Sequence, residues 1–234
     1  MTAVPSTSPR AQLTERAGAT RIAVAILGVV AGMAAVEHGV GEIHAAPGAP
    51  ESLVIRSWPD IPSFAPLSGE PAMTVIPDLL LSGILTIAVG ALVAIAAVGF
   101  AHRRHGGALL IGLATLLLLV GGGFGPPVLV AALGLAAVRT TRPLRHPVGR
   151  FRRRLADVWP ALLTVTVAAY LGLFPGVVLL HRFAGVDSAA LVTALVILAL
   201  AGLVLTLLAA TAKDRPTPAS HLGRTPRLGG ELQG

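Results

Sequence analysis

The fold of this chain turns on GALLIGLATLLLLVGGGFGPPVLVAALGLAAV, Gly107–Val138, a stretch of 32 residues without a charge. As one straight helix it would be about 48 Å long at 1.5 Å per residue. Fitting that into a hydrocarbon core of about 30 Å needs a tilt of roughly 50°, beyond the range of about 0–40° that membrane helices adopt. Its centre reads GGGFGPP, Gly121–Pro127. Glycines lower helix propensity there, and Pro126 and Pro127 remove two amide donors. The stretch therefore predicts two short spans, 107–120 and 128–138, folded back through a tight turn. The second covers only about 17 Å, so the alternative is five spans with a re-entrant element shielded by other helices.

The rest of the chain has the same character. Of its 234 residues 54% are hydrophobic, 12% charged and 4% aromatic, with a mean hydropathy of +0.79. A soluble domain carries about 25% charged residues, so this chain has too few to coat a soluble core, and a soluble enzyme is excluded. The absence of cysteine excludes disulfides, thiolate metal sites and cysteine nucleophiles. A net charge of +7 would suggest nucleic acid in a soluble protein, but here it reads as topology, and no nucleic-acid partner is expected.

Outward from the central stretch, further spans are predicted at about 22–43, 74–100, 158–180 and 188–212. Residues 1–20 and 213–234 read as flexible cytoplasmic tails around a single transmembrane domain, 21–212. The segment 44–73 carries Pro47, Pro50, Pro59, Pro62, Pro66 and Pro71, a spacing that forbids a continuous helix. It is expected to form an extended outer loop, in which Leu53–Trp58 either pairs as a strand or lies on headgroups. Pro175 should kink the fifth span, and His181–Asp187 should be a short outer loop. The fold class is thus all-α: a polytopic bundle of six spans whose third and fourth form a short hairpin.

Basic residues favour six spans over five. Six crossings with both termini inside gather sixteen of the eighteen Lys and Arg on the cytoplasmic face, leaving only Arg56 and Arg182 outside. Five crossings leave six outside at best, and place either His102–His105 or the seven-arginine segment Arg139–Arg154 on the wrong face. That segment, within a basic loop over 139–157, reads as an anchor on anionic headgroups, at about 1 kcal/mol per basic residue. Phe151 and Leu155 share a side of it if its second half is helical.

The ionisable residues are unevenly placed, and they carry the functional expectation. Glu37 lies about 22 Å along the helix from Ile22, so Glu37 and His38 should sit below the outer boundary, where burial is expensive. His38 and Glu42 are four apart and share a helix face. Asp78 opens the second span, and Asp60 and Glu70 lie in the loop joining the two. Glu37, His38, Glu42, Asp60, Glu70 and Asp78 together could coordinate a divalent cation, bind a cationic solute or pass a proton. The structural alternative has Glu37 and His38 bonded locally and Asp78 capping its helix. For a metal the ligand types suit zinc or copper, although a spacing of four with no second, similarly spaced pair does not fix one; no cofactor is expected, and the chain lacks the motifs of a serine hydrolase, HExxH metalloprotease or phosphate loop.

Small residues four apart, Gly28 with Gly32, Gly90 with Ala94 and Gly172 with Gly176, predict close helix packing within the bundle, with a homo-oligomer seam as the other reading. Tyr170 should bond to a neighbouring helix.

The motifs EHGVGEI (Glu37–Ile43), SWPD (Ser57–Asp60), GEPAMT (Gly69–Thr74) and GGGFGPP resemble those of a group of small multi-pass bacterial membrane proteins, over roughly residues 22–138. The resemblance implies no activity or ligand and carries no functional residue over; it implies that the outer motifs belong together. The chain is expected in the bacterial cytoplasmic (inner) membrane, as a small transporter or binding protein for a cation or polar solute. A non-catalytic scaffold or accessory subunit is the rival reading, and a membrane enzyme stands third.

Overall fold

The computed structural model describes residues 18–46, 48–50, 52–57, 69–140 and 150–215. Most of the expected tails, 1–20 and 213–234, lie outside them, as do Trp58 and Asp60. The elements are α1 (Ala19–Ala45), β1 (Val54–Arg56), β2 (Pro71–Met73), α2 (Leu79–Gly99), α3 (Gly106–Val120), α4 (Gly125–Thr140), α5 (Arg150–Asp157), α6 (Trp159–Leu171), α7 (Val177–Ala184) and α8 (Ala189–Lys213). A wide π-turn, Gly172–Gly176, joins α6 to α7.

The architecture is all-α. Four helical stretches, Ala19–Ala45, Leu79–Gly99, Trp159–Ala184 and Ala189–Lys213, are long and apolar enough to cross a membrane. Their outward faces carry exposed Ile84, Ile95, Val98, Ile197 and Val204, an apolar exterior that water would not tolerate but lipid does. The chain is a membrane protein. Inside, Leu27, Val93, Leu110, Leu117, Leu129 and Leu133 bring α1, α2, α3 and α4 together in one core.

The central stretch does fold back on itself. α3 ends at Gly121, which takes a left-handed conformation (φ +114°), and its amide bonds to the Leu117 carbonyl. Gly123 is also left-handed (φ +71°). These two positions need glycine, because a side chain strains such a backbone. The turn is shorter than expected, Gly121–Phe124, because Pro126 and Pro127 fall inside the first turn of α4. A missing amide there breaks no helical bond, and the fixed proline φ suits a helix start. α4 is accordingly longer than the expected 128–138. Antiparallel packing follows, with Gly107 at the start of α3 against Gly134 and Val138 near the end of α4.

Two other boundaries shift for local reasons. α2 starts at Leu79 rather than at Thr74, because Thr74 and Val75 are extended and pair with the end of α3: Val75 N–H donates to the Leu119 carbonyl at 2.9 Å. Within the 44–73 loop, β1 and β2 form an antiparallel ribbon with Ile55 opposite Ala72. The expected loop His181–Asp187 is mostly helix, since α7 runs to Ala184 and stops only at left-handed Gly185 (φ +62°). The kink expected at Pro175 is present, where Phe174 leaves helical geometry (φ −130°, ψ 108°).

α1 and α2 approach most closely. A Cβ at Gly32 would lie 2.6 Å from the Gly90 carbonyl oxygen, and one at Gly39 equally close to that of Gly83. The small-residue pairs of the first two spans are therefore used inside the chain, where van der Waals contact between backbones drives helix association in lipid. At the far end of α1, Asp214 accepts from Ala19 N–H (2.6 Å) and Thr20 N–H (2.9 Å). The start of α1 and the end of α8 thus share one end of the bundle; the β-ribbon and the glycine turn share the other.

Candidate cation site

The ribbon end of the bundle holds three glutamates and a histidine. His38 is 2% exposed in the last third of α1. Its Nδ1 lies 3.0 Å from the Ala34 carbonyl; a carbonyl only accepts, so Nδ1 carries a proton and Nε2 is the nitrogen left for other chemistry. Nε2 faces Glu70 Oε2 at 3.5 Å, and Glu37 Oε2 lies 3.3 Å from Nδ1. One side of the ring meets Phe174 at 5.7 Å between centroids. Another meets the glycine turn, where a Cβ on Gly123 would collide with the imidazole. Both neighbours fix the ring plane.

Glu70 reaches His38 through an unusual backbone. It follows Gly69 in the turn before β2, and both are left-handed (φ +56° and +74°). A glutamate in that region stores strain of about 1 kcal/mol or more, of the kind that persists where the surroundings over-determine a functional position. The Glu70 carbonyl accepts from Ser57 N–H at 3.2 Å, tying the turn to the strand before it. The side chain is 3% exposed and neither carboxylate oxygen has a hydrogen bond. Burial pushes its carboxyl up, to about 8; His38 opposes that shift and Glu37 adds to it. One ligand atom from each of Glu37, His38 and Glu70 falls within 4.8 Å of the others, the spacing of a metal-binding group.

Glu42, one turn beyond His38, is 1% exposed and its oxygens also lack hydrogen bonds. It points at the end of α3, where a Cβ on Gly121 would strike its carboxylate. Ser82 stands against it, and Thr74 and Thr86 join Ser82 through its hydroxyl and through the shared Val120 carbonyl. The Ser82 and Thr86 hydroxyls each lie 2.7 Å from the Val120 carbonyl, and Ser82 Oγ is 2.8 Å from Thr74 Oγ1.

Of the residues singled out in the sequence, the fold thus brings together Glu37, His38 and Glu70, with Glu42 adjacent. Asp78 is engaged elsewhere: it caps α2, accepting from Leu81 N–H at 2.7 Å. Sequence reasoning missed Ser82, Thr86, Thr74 and the second role of the glycine turn, which leaves room for Glu42 and His38. A signal existed for the first two, since Ser82 and Thr86 are the only polar residues in α2 and stand one turn apart. A cavity of about 300 Å³ opens beside the site, between Gly32, Gly90 and Ala94 on one side and Phe174 and Pro175 on the other, and Glu37 is the charged residue on its wall. The chain matches no protein-family model, no curated protein and no solved structure.

Proposed function

We propose that this is a cation-binding membrane protein of the transporter type, which takes a divalent transition-metal ion at Glu37, His38 and Glu70. The observation that carries the reading is Glu70: a carboxylate brought into a buried cluster by a strained turn, with no hydrogen bond to either oxygen. Carboxylates taken out of water need a counter-charge. With Nδ1 donating to Ala34, the Nε2 lone pair and the Glu70 oxygen face each other at 3.5 Å. Ligand atoms around a tetrahedral ion with bonds of about 2.0–2.1 Å stand roughly that far apart. Two glutamates balance the charge of a divalent ion, and mixed imidazole and carboxylate ligands suit Zn²⁺ or a similar ion. The hydrogen bond at Nδ1 is the outer contact that metal-bound histidines usually make. The cavity beside Glu37, at a broken helix, supplies a path, as irregular backbone within membranes does when it lines a cavity.

In the same reading the chain crosses the membrane six times, with both termini and the arginine-dense α5 on the cytoplasmic side and the metal site beneath the outer face. The meeting of Ala19 with Asp214 at one end supports it, as does the distribution of basic residues. The scaffold reading rests on the same two His38 contacts: a protonated His38 would tie Glu37 to Glu70 and pin the loop.

Metal binding separates them. The full chain, purified in detergent and stripped with chelator, should take up one Zn²⁺ per molecule by calorimetry and elemental analysis. His38→Ala and Glu70→Gln should each weaken binding at least 100-fold. No binding of Zn²⁺, Mn²⁺ or Co²⁺ by the wild type leaves the scaffold. Zn²⁺ entry into proteoliposomes then tests transport, and binding without entry reduces the protein to a binding function. Because the chain lacks cysteine, single substitutions report its orientation. Ser52→Cys should react with an impermeant maleimide on intact cells, and His105→Cys should not.

A further inference from the structure

We propose that Glu42, with the hydroxyls of Thr74, Ser82 and Thr86, forms a second cation site, for one small hard monovalent ion of the sodium class. The proposal rests on residues other than the ligands of a metal at His38, whose charge reaches Glu42 only through space. Glu42 is 1% exposed, and both of its oxygens lack a hydrogen bond. Its carboxylate is aimed at the C-terminal end of α3. A helix C-terminus carries about half a negative charge, so carboxylate and helix end repel each other unless something positive lies between them.

The hydroxyls relieve that repulsion only in part, through Ser82. Each has one proton. That of Thr86 goes to the Val120 carbonyl at 2.7 Å, and that of Ser82 is already contested by Val120 and Thr74. Thr74 Oγ1 is itself an acceptor for Ile76 N–H at 3.1 Å. The pocket therefore holds more acceptors than protons, and what its hydroxyls have left to present is lone pairs. A cation removes the deficit. Every candidate ligand is an oxygen, which selects a hard ion over one that prefers nitrogen or sulfur, and a single carboxylate balances a single charge. Gly121 is the space-making residue: any side chain there would fill the gap at the carboxylate.

The test uses the purified full chain in detergent with ²²Na⁺ as probe. The wild type should bind ²²Na⁺ saturably, at one ion per chain, displaced by unlabelled NaCl and not by choline chloride. At 100 mM, NaCl should raise Tm by about 3–5 °C over choline chloride. Glu42→Gln should abolish both effects, and Ser82→Ala, which removes one ligand and preserves the fold if Glu42→Gln does not, should weaken binding about tenfold. His38→Ala should leave sodium binding in place. Wild type that neither binds ²²Na⁺ nor responds to NaCl overturns the proposal, as does sodium binding that survives Glu42→Gln or is lost with His38→Ala.

Discussion

Two carboxylates sit at opposite ends of this bundle, each against a helix terminus, Glu42 buried and Asp214 exposed, and their surroundings differ in sign. Asp214 meets the N-terminus of α1, where the dipole is positive and free amides await acceptors, and both of its oxygens are bonded. Glu42 meets the C-terminus of α3, where the dipole is negative, and neither of its oxygens is bonded. Asp214 holds the first and last of the described helices together. Glu37 and Glu70 share His38 between them, and neither oxygen of Glu42 has such a partner. The same carboxylate chemistry thus meets a field that is answered by amides at one end and one that opposes it at the other.

Gly123→Ala should show the largest effect, because it adds a methyl group to a left-handed backbone and drives that group into the His38 ring. Thermal and chemical denaturation should register a loss of about 3 kcal/mol, and any metal affinity at His38 should fall with it. An unchanged stability would mean that the glycine turn does not confine the imidazole.

The next effects bear on the contrast itself, and they should have opposite signs. In choline buffer without sodium, Glu42→Gln should stabilise the protein, by about 1–3 kcal/mol, since it removes a buried charge that Ser82 and the nearby His38 offset only in part. Asp214→Ala should destabilise it by about 1–2 kcal/mol, through two orphaned amides. If both substitutions destabilise, Glu42 is satisfied in some way that the geometry does not reveal, and the contrast between the two ends fails.

Much of the bundle was legible because lipid imposes simple rules. Apolar length located the four long helices, and a charge-free run too long for one crossing, with glycine and proline at its centre, located the hairpin. What the sequence concealed was directional. Pro126 and Pro127 read as helix breakers, yet at the first turn of α4 they start a helix. Glu37, His38 and Glu42 were visible as a polar cluster on an apolar helix, whereas Glu70 lies 32 residues beyond His38 and reaches it only through the left-handed turn at Gly69–Glu70. No periodicity encodes such a turn. Ser82 and Thr86 were discernible as a pair but had no assigned partner, because their meeting with Val120 depends on how α3 docks against α2.

Asp78 sharpens the comparison with the smallest effect. It is an acidic residue near the same end of the bundle and in sequence belongs with the cluster, but its carboxylate caps α2 by accepting from Leu81 N–H. An N-cap needs an acceptor atom, not a charge, and asparagine serves as well as aspartate. Asp78→Asn should therefore be nearly neutral, and Asp78→Ala should cost about 1 kcal/mol, with Zn²⁺ and ²²Na⁺ binding unchanged in both. Glu70→Gln, which also exchanges a carboxylate for an amide, should do the reverse and lower Zn²⁺ affinity at least 100-fold. The pair separates charge from hydrogen bonding at two neighbouring acids. Loss of metal binding in Asp78→Asn would show that the negative field of the whole end, rather than the Glu37, His38 and Glu70 ligand set, holds the cation.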